Sequence, residues 1–395
     1  PQFVLKAQED RADEINTCIG CNQACLDHTF SLERASCLVN PQACYEDELV
    51  LKPSSQPQHV AVVGAGPGGL AFATAARRCG HHVTLYDAAH DIGGQFNMAK
   101  VIPGKEEFYE TLRYFRRQLE LLQVDVRLNT RVSPDDLASG FDVVVVATGV
   151  KPRPLGVPGA DHPSVLSYID VLTGAATVGS RVAIVGAGGI GFDVAEFLSS
   201  PSAPGQPPSI EQWLQTWGVD KTNENRGGLL PSGPHNETPS REIYLLQRKA
   251  TKHGADLGRT TGWIHRATLQ KHGVKMINSV QYERIDDQGL HITQDGIART
   301  LEVDNVVVCA GQVSLDDLVE PLQQRAPSVR VFKIGGAYEA GELDAKRAID
   351  MATRLAATLE SAQPGEEASL KAPLGTGAQL FRKFQKFGKL TGLAK

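Results

Sequence analysis

Short apolar segments that run straight into glycine-rich turns are the dominant pattern along this chain. The β-branched segment His59–Val63 leads into Gly64-Ala65-Gly66-Pro67-Gly68-Gly69, and an Ala-rich stretch follows over residues 70–78. The first pattern predicts a buried parallel strand and the second predicts a helix. Residues 83–86 predict the next parallel strand, which ends at Asp87. This order of strand, glycine loop, helix and strand is typical of a dinucleotide-binding unit.

The same order returns later in the chain. Arg181–Val185 predicts a strand that runs into Gly186-Ala187-Gly188-Gly189-Ile190-Gly191, and a helix is predicted as far as Phe197. An insertion rich in Pro, Gly, Ser and Asn over residues 201–239 postpones the next strand to Glu242–Leu246. We expect the insertion to lie on the surface. The repeat predicts an α/β fold with two Rossmann-like units.

Each unit closes with a buried strand and a turn of small residues. Val143–Val146 precedes Ala147-Thr148-Gly149, and residues 306–308 precede Cys309-Ala310-Gly311. Because the two units end in the same way, we expect them to have similar folds.

The charge and the hydropathy of the chain argue against some classes of function. The net charge of −5 and the pI near 6.2 give no global field that would recruit nucleic acid. No apolar run has the length of a membrane span, so a membrane protein is not expected. Pro1 is not an initiator methionine and no signal-peptide pattern follows it, so we expect a cytoplasmic segment of a longer chain.

The two glycine loops differ in the residues that follow them. In the first unit Asp87, at the end of the second strand, is placed to accept hydrogen bonds from a ribose hydroxyl. In the second unit the corresponding strand ends in Gln247-Arg248-Lys249, without an acid. Arg248 and Lys249 could pair with a 2′-phosphate, which favours NADPH over NADH. The alternative is that both are solvated surface cations. Two such sites are expected to hold FAD and a nicotinamide cofactor.

Five of the seven cysteines fall between residues 18 and 44. Cys18, Cys21, Cys25 and Cys37 would place three thiols on one tight loop and a fourth after a short excursion. This arrangement suits a [4Fe–4S] cluster, although four cysteines also satisfy a structural zinc site. The presence of two dinucleotide sites favours the redox cluster. Cys44 is expected to be a free or buried thiol.

Several segments carry a resemblance to a known family. They resemble the bacterial NADPH-dependent 2,4-dienoyl-CoA reductases, iron–sulfur flavoproteins of the wider trimethylamine dehydrogenase family, over about residues 1–360. The segments are Asp13-Glu14-Ile15-Asn16-Thr17-Cys18-Ile19-Gly20-Cys21-Asn22-Gln23-Ala24-Cys25, Cys37-Leu38-Val39-Asn40-Pro41, Ile92-Gly93-Gly94-Gln95-Phe96, Thr260-Thr261-Gly262-Trp263-Ile264-His265 and Leu343-Asp344-Ala345-Lys346-Arg347-Ala348.

The resemblance implies an electron path from NADPH to FAD, then to the [4Fe–4S] cluster, then to FMN in an N-terminal (β/α)8 barrel that reduces a dienoyl-CoA. It makes Cys18, Cys21, Cys25 and Cys37 the cluster ligands. No protein side chain is expected to act as a nucleophile. The residues expected around FAD, beyond the first glycine loop, are Asp87, Gly94, Gln95, Lys105, Val132, Ala147, Gly149, Gly335, Gly336, Leu343 and Asp344.

These features predict four parts. Residues 1–49 would hold a barrel remnant and the cluster segment, residues 50–165 and 311–362 a discontinuous FAD domain, residues 166–310 the NADPH domain, and residues 363–395 a linker and basic tail. The barrel and most of the FMN site are missing, so this chain alone is not expected to reduce dienoyl-CoA. A separate barrel or acceptor chain is a possible partner. The alternatives are an electron-input subunit similar to the small chain of glutamate synthase, and a non-catalytic zinc-stabilised nucleotide-binding scaffold.

Overall fold

A computed structural model describes residues 2–200, 209–235, 239–341, 344–370, 375, 379–380 and 383 of the 395. The strands are β1 His59–Val63, β2 His82–Tyr86, β3 Asp125–Arg127, β4 Val143–Val146, β5 Val150–Pro152, β6 Val165–Ser167, β7 Arg181–Val185, β8 Glu242–Leu246, β9 Lys275–Ile277, β10 Val280–Asp286, β11 Gly289–Gln294, β12 Ile297–Leu301, β13 Asn305–Val308, β14 Gln312–Ser314 and β15 Arg330–Lys333. The α-helices are α1 Phe3–Gln8, α2 Leu26–Phe30, α3 Pro67–Arg78, α4 Phe96–Ala99, α5 Phe108–Leu121, α6 Pro134–Leu137, α7 Tyr168–Leu172, α8 Gly189–Ser199, α9 Ile210–Trp217, α10 Gly262–Lys271, α11 Val319–Arg325 and α12 Ala345–Thr358. Short 3-10 turns span Ala12–Glu14, Arg226–Gly228, Gly335–Ala337 and Glu367–Leu370.

The first parallel sheet has the strand order β15-β4-β1-β2-β3. Strand β1 pairs with β2 and β4, so that Val60 lies opposite both Val83 and Val143. The four valines of β4 are all buried, because helices cover both faces of a sheet of this kind. Helices α3 and α12 pack on each other and cover one face. Leu137 and Leu322 belong to the core cluster on the other face.

The second parallel sheet has the order β6-β13-β7-β8-β9. The antiparallel strands β10, β11 and β12 form a separate sheet that shares a core with it, where Ile292 and Leu290 pack with Val185. A two-stranded antiparallel pair, β5 with β14, completes the sheets of the described residues. The predicted α/β fold with two Rossmann-like parallel sheets is therefore confirmed.

The predicted bounds of β1, β4, β7 and β8 agree with the structure. The insertion contains a helix that the composition did not predict, α9, which begins with a capping box between Ser209 and Gln212 and ends at Gly218 in the left-handed conformation. Among the described residues, no helix combines the length and the hydropathy that crossing a membrane requires. Most of the predicted basic tail lies outside the described residues.

Candidate functional site

The first glycine loop joins β1 to α3 at the carboxyl edge of the first sheet. Gly64 has a φ of +109°, and a Cβ added to Gly69 would overlap the Gly64 carbonyl oxygen. A Cβ on Gly66 would meet no heavy atom within 4 Å. Only glycine fits at positions 64 and 69, because a side chain would be strained at the first and would collide with the backbone at the second. Gly66 faces open space where a phosphate could approach. The N–H groups of the first turn of α3 begin there, as a bound pyrophosphate needs.

Asp87 lies directly beside this loop. Its Oδ2 accepts a hydrogen bond of 2.6 Å from the Ala65 amide, and its Oδ1 accepts one of 2.7 Å from the Ala89 amide. The carboxylate is therefore held at the carboxyl end of β2, where a ribose of a dinucleotide on the first loop would lie.

Two other turns meet the first loop. The Gly93 amide donates to the Ala65 carbonyl over 2.8 Å, and Gly94, with a φ of +50°, lies against the Cα of Gly66. The Gly64 Cα approaches the Ala147 carbonyl so closely that a Cβ would collide with it. The structure therefore brings the predicted Gly94 and Ala147 to the first glycine loop.

A third turn lies behind these two. Gly336 packs against Gly149, since its Cβ position is 3.1 Å from the Gly149 carbonyl carbon, and Gly335 has a φ of +58°. Asp344 caps α12 by accepting a hydrogen bond of 2.6 Å from the Arg347 amide. The predicted contact Leu343 lies outside the described residues.

The remaining predicted FAD contacts have other partners within the protein. Val132 is buried in the core cluster on one face of the first sheet. The Lys105 ammonium forms an ion pair of 2.6 Å with Asp193 of α8. Gln95 donates a hydrogen bond of 3.3 Å to the buried Tyr168 hydroxyl. Lys105 and Gln95 thus connect the first unit to the second.

The second glycine loop repeats the geometry of the first. Gly186 has a φ of +110° and its Cβ position lies 2.8 Å from the Cys309 carbonyl oxygen, while a Cβ on Gly191 would overlap the Gly186 carbonyl. Cβ atoms on Gly188 and Gly189 would meet nothing within 4 Å. Ile190 packs against the core of this unit. The open centre of the loop again faces the space where a phosphate could approach.

A cleft of about 300 Å³ opens on this second loop. Arg248 is exposed, and its side chain has no hydrogen bond or ion pair within the part of the chain that the structure describes. Lys249 is 3.2 Å from Asp256. The side chains and backbone that line the cleft include Arg153, Gly186, Ala187, Gly188, Gly189, Gln247, Arg248, Lys249, Lys252 and Tyr282. The cleft is thus cationic at the end that follows β8.

The four predicted ligand cysteines lie close to one another. Burial raises the pKa of the Cys21 thiol, and the neighbouring Cys37, Cys25 and Cys18 thiols raise it further. Burial likewise raises the pKa of Cys37, with Cys18 and Cys25 acting in the same direction. Cys18 and Cys25 are exposed. The half-buried thiols of Cys21 and Cys37 therefore neighbour the two exposed ones.

Backbone N–H groups point at these sulfurs. The Gly20 amide donates to Cys18 Sγ over 3.4 Å, and backbone amides also donate to the Cys21 and Cys37 sulfurs. Such donors stabilise a negatively charged iron–sulfur cluster. In the described part of the chain, no three His, Cys, Asp or Glu side chains are grouped closely enough for a single metal ion. Four thiols with amide donors beside them are the donor set that a [4Fe–4S] cluster uses, and four thiolates also satisfy one zinc ion.

Sequence reasoning did not identify the contacts that hold this cysteine segment to the second unit. Asp27 Oδ1 accepts hydrogen bonds from the Thr260 amide, over 3.0 Å, and from the Thr260 hydroxyl, over 2.9 Å. Arg259 donates to the Phe30 carbonyl over 3.0 Å. The loop that contains Thr260 begins at the cationic end of the cleft. These contacts join residues far apart in the sequence, and no local pattern indicates them.

Comparison with known proteins gives a consistent set of relatives. The profile of the pyridine nucleotide-disulphide oxidoreductases matches residues 58–327. A metal reductase of Desulforamulus reducens is 32% identical over 337 residues, which are 84% of this chain and 49% of that protein. An NADH oxidase of Thermoanaerobacter brockii is 32% identical over 210 residues, 51% of this chain and 32% of that protein.

A solved structure is similar to this chain over most of its length. A 2-naphthoyl-CoA reductase in complex with 2-naphthoyl-CoA superposes with a TM-score of 0.75 and 27% identity, over 91% of this chain and 48% of that one. The present chain therefore spans about half the length, or less, of these longer relatives.

Proposed function

Because the chain belongs to the pyridine nucleotide-disulphide oxidoreductase family, we propose that this flavin-dependent oxidoreductase passes electrons from NADPH through FAD to a [4Fe–4S] cluster. When bound, FAD accepts a hydride from the nicotinamide and releases electrons singly, as a one-electron acceptor requires. The observation that supports this path best is that one chain contains two glycine loops of the same geometry and also four neighbouring thiols.

We assign FAD to the first loop. Asp87 would hold the ribose, while the turns at Gly94 and Ala147 lie against the loop and the Gly336 turn packs on Gly149. Strand β15 follows the second unit in the sequence but pairs with β4 of the first sheet. This pairing supports a discontinuous FAD domain over residues 50–165 and 311–362, with the NADPH domain of residues 166–310 inserted into it.

We assign NADPH to the second loop. Arg248 makes no hydrogen bond or ion pair within the described residues, and Lys249 and Lys252 line the same end of the cleft. A 2′-phosphate would neutralise this group of cations, which supports NADPH over NADH. The phosphates of the dinucleotide would lie at the open centre of the loop, near Gly188.

Residues 1–49 would carry the cluster, with Cys18, Cys21, Cys25 and Cys37 as ligands. The exposure of Cys18 and Cys25 supports this segment as the point where electrons leave the chain. The final acceptor would be FMN in a barrel, either in the same longer protein or in a partner chain. The likeness to a 2-naphthoyl-CoA reductase supports a conjugated acyl-CoA thioester, such as a dienoyl-CoA, as the substrate of the complete protein.

An anaerobic NADPH titration of the purified chain, reconstituted with FAD, iron and sulfide, tests the proposed path. Absorbance would follow the flavin, and low-temperature electron paramagnetic resonance would follow the cluster. We expect the flavin bands to bleach and a reduced-cluster signal to appear as NADPH is added. A flavin that stays oxidised would contradict the first step, and a bleached flavin without a cluster signal would contradict the second.

A matched pair of cysteine variants separates the cluster from general thiol effects. Cys25→Ser removes a proposed ligand, whereas Cys44→Ser removes another exposed thiol outside the group. We expect Cys25→Ser to lose iron and the resonance signal but to retain NADPH-dependent bleaching of the flavin. Cys44→Ser should behave as the parent. Equal iron content in the two variants would remove Cys25 from the ligand set.

A further inference from the structure

Three polar side chains form a chain of hydrogen bonds between the two glycine loops. Gln95 Nε2 donates to the Tyr168 hydroxyl over 3.3 Å, and that hydroxyl donates to Gln312 Oε1 over 3.4 Å. Tyr168, at the start of α7, is almost fully buried. The three residues come from different elements, so their meeting is a consequence of how the two units pack together.

Both ends of this chain of hydrogen bonds are next to proposed cofactor sites. Gln95 directly follows Gly94, which lies against Gly66 of the first loop. Gln312 directly follows Gly311, which lines the cleft on the second loop. The three side chains therefore connect the place assigned to FAD with the place assigned to the nicotinamide nucleotide.

The direction of the hydrogen bonds fixes the Gln312 carboxamide. A tyrosine hydroxyl has one proton. The Tyr168 hydroxyl accepts from Gln95 and so uses that proton toward Gln312 Oε1. The Gln312 Nε2 is then directed away from Tyr168. This nitrogen is buried and has no hydrogen-bond partner among the described residues. A buried amide donor without an acceptor is unfavourable, and native proteins seldom retain one without a role.

We propose that Gln312 is a positioning residue whose Nε2 donates a hydrogen bond to a carbonyl oxygen of a cofactor ring held between the two loops, while Tyr168 and Gln95 hold the carboxamide in that orientation. The acceptor is a ring-attached carbonyl, which the flavin ring and the nicotinamide carboxamide both offer. This inference rests on the proposed function, since it requires that FAD and the nucleotide occupy the two loops.

The test replaces the donor while it keeps the size of the side chain. Gln312→Leu removes the amide, and Gln312→Glu retains an acceptor for Tyr168 but places an oxygen where the donor was. Flavin fluorescence would measure the FAD affinity of the apoprotein, and equilibration with a redox dye would measure the flavin midpoint potential. Steady-state kinetics with ferricyanide as acceptor would give KM and kcat for NADPH. Gln324→Leu, on the exposed side of α11, is the matched control.

The two sources of the carbonyl predict different results. If the flavin is the acceptor, Gln312→Leu should weaken FAD binding about tenfold and shift the midpoint potential without any nucleotide present, because one hydrogen bond to a cofactor is lost. If the nicotinamide is the acceptor, FAD affinity and potential should match the parent, while KM for NADPH rises about tenfold. Gln312→Glu should give at least the same effect in the same readout.

Tyr168→Phe keeps the inference testable if the Gln312 variants fold poorly. It removes only the hydroxyl that orients the carboxamide, so the same readout should move in the same direction by a smaller factor. Variants of Gln312 and Tyr168 that equal the parent in FAD affinity, potential and KM would overturn the inference. A parent chain that does not bind FAD, or whose flavin NADPH does not reduce, would instead contradict the proposed function.

Discussion

The Lys105 ammonium lies 2.6 Å from Oδ1 of Asp193, and this ion pair connects the loop before α5 to helix α8, which follows the second glycine loop. Both side chains are less than one third exposed. Asp193 also raises the pKa of the buried Cys309 thiol, after burial itself, so the pair lies near the turn that closes the second unit. Opposite charges are thus held at the junction between the two proposed cofactor sites.

This pair predicts redox shifts of opposite sign. Reduction of a flavin adds negative charge, which a nearby cation stabilises and a nearby anion destabilises. We expect Lys105→Met to lower the midpoint potential of the bound FAD and Asp193→Asn to raise it, each by at least about 30 mV, which is about 1.4 kcal/mol for a two-electron couple. Dye-equilibration potentiometry measures both. Shifts of the same sign, or none, would show that the pair is too distant from the flavin.

Two glycines of the second loop differ in the space around their Cβ positions, so we expect their alanine variants to have different effects. Gly188 has an ordinary negative φ and free space around its Cβ position, so Gly188→Ala should fold normally but raise KM for NADPH about tenfold by obstructing the phosphate. In Gly191→Ala the new Cβ would overlap the Gly186 carbonyl, and we expect a loss of about 3 kcal/mol or more in unfolding free energy. Urea unfolding and steady-state kinetics separate the two effects. Equal stability of both variants would contradict this description of the loop.

Arg248 predicts the preference between the two nicotinamide nucleotides. Because this guanidinium makes no hydrogen bond or ion pair in the described structure and only an electrostatic interaction with Tyr282, its removal should affect mainly a bound 2′-phosphate. We expect Arg248→Ala to raise KM for NADPH about tenfold or more and to leave KM for NADH nearly unchanged. Lys249→Ala should have a smaller effect, because Lys249 is already paired with Asp256. The exposed Arg299→Ala on β12 is the control, and equal effects on the two nucleotides would exclude the proposed contact.

The sequence was informative where structure is local. Runs of β-branched residues predicted β1, β4, β7 and β8, and glycine spacing predicted both loops, because each signal is contained within a few neighbouring residues. Helix α9 was missed since Pro and Gly dominate the surrounding insertion, although Ser209 and Gln212 have the spacing of a capping box.

The side-chain partners could not be predicted in this way. Lys105 and Asp193 are 88 residues apart, Tyr168 and Gln312 are 144 apart, and Asp27 and Thr260 are 233 apart. Each pair forms only when whole units pack together, and packing of that kind leaves no periodic signal in a single sequence. The contacts between the units could therefore be identified only from the structure, whereas the two units could be predicted from the sequence.

A buried histidine immediately before β2, His81, predicts how stability depends on pH. Burial lowers the pKa of His81 below its ordinary value of 6.5, against the opposing effect of Glu360 and with small contributions from Arg330 and His82. Its Nδ1 accepts a hydrogen bond of 3.2 Å from the Gln58 amide and so is unprotonated in the folded chain. The folded state therefore contains a neutral His81 at pH values where the unfolded state is already protonated.

The sign follows from the number of protons bound. Below about pH 6.5 the unfolded chain binds a proton at His81 that the folded chain does not, so stability is complete above that pH and falls as the pH is lowered. We expect the unfolding free energy of the parent to decrease from about pH 8 to about pH 5, and His81→Gln to show a shallower decrease, in urea titrations at each pH. His90→Gln, at an exposed loop position, should keep the slope of the parent. If His81→Gln also kept that slope, protonation of His81 would not be coupled to unfolding, and other groups that titrate over the same range would have to account for the loss of stability in acid.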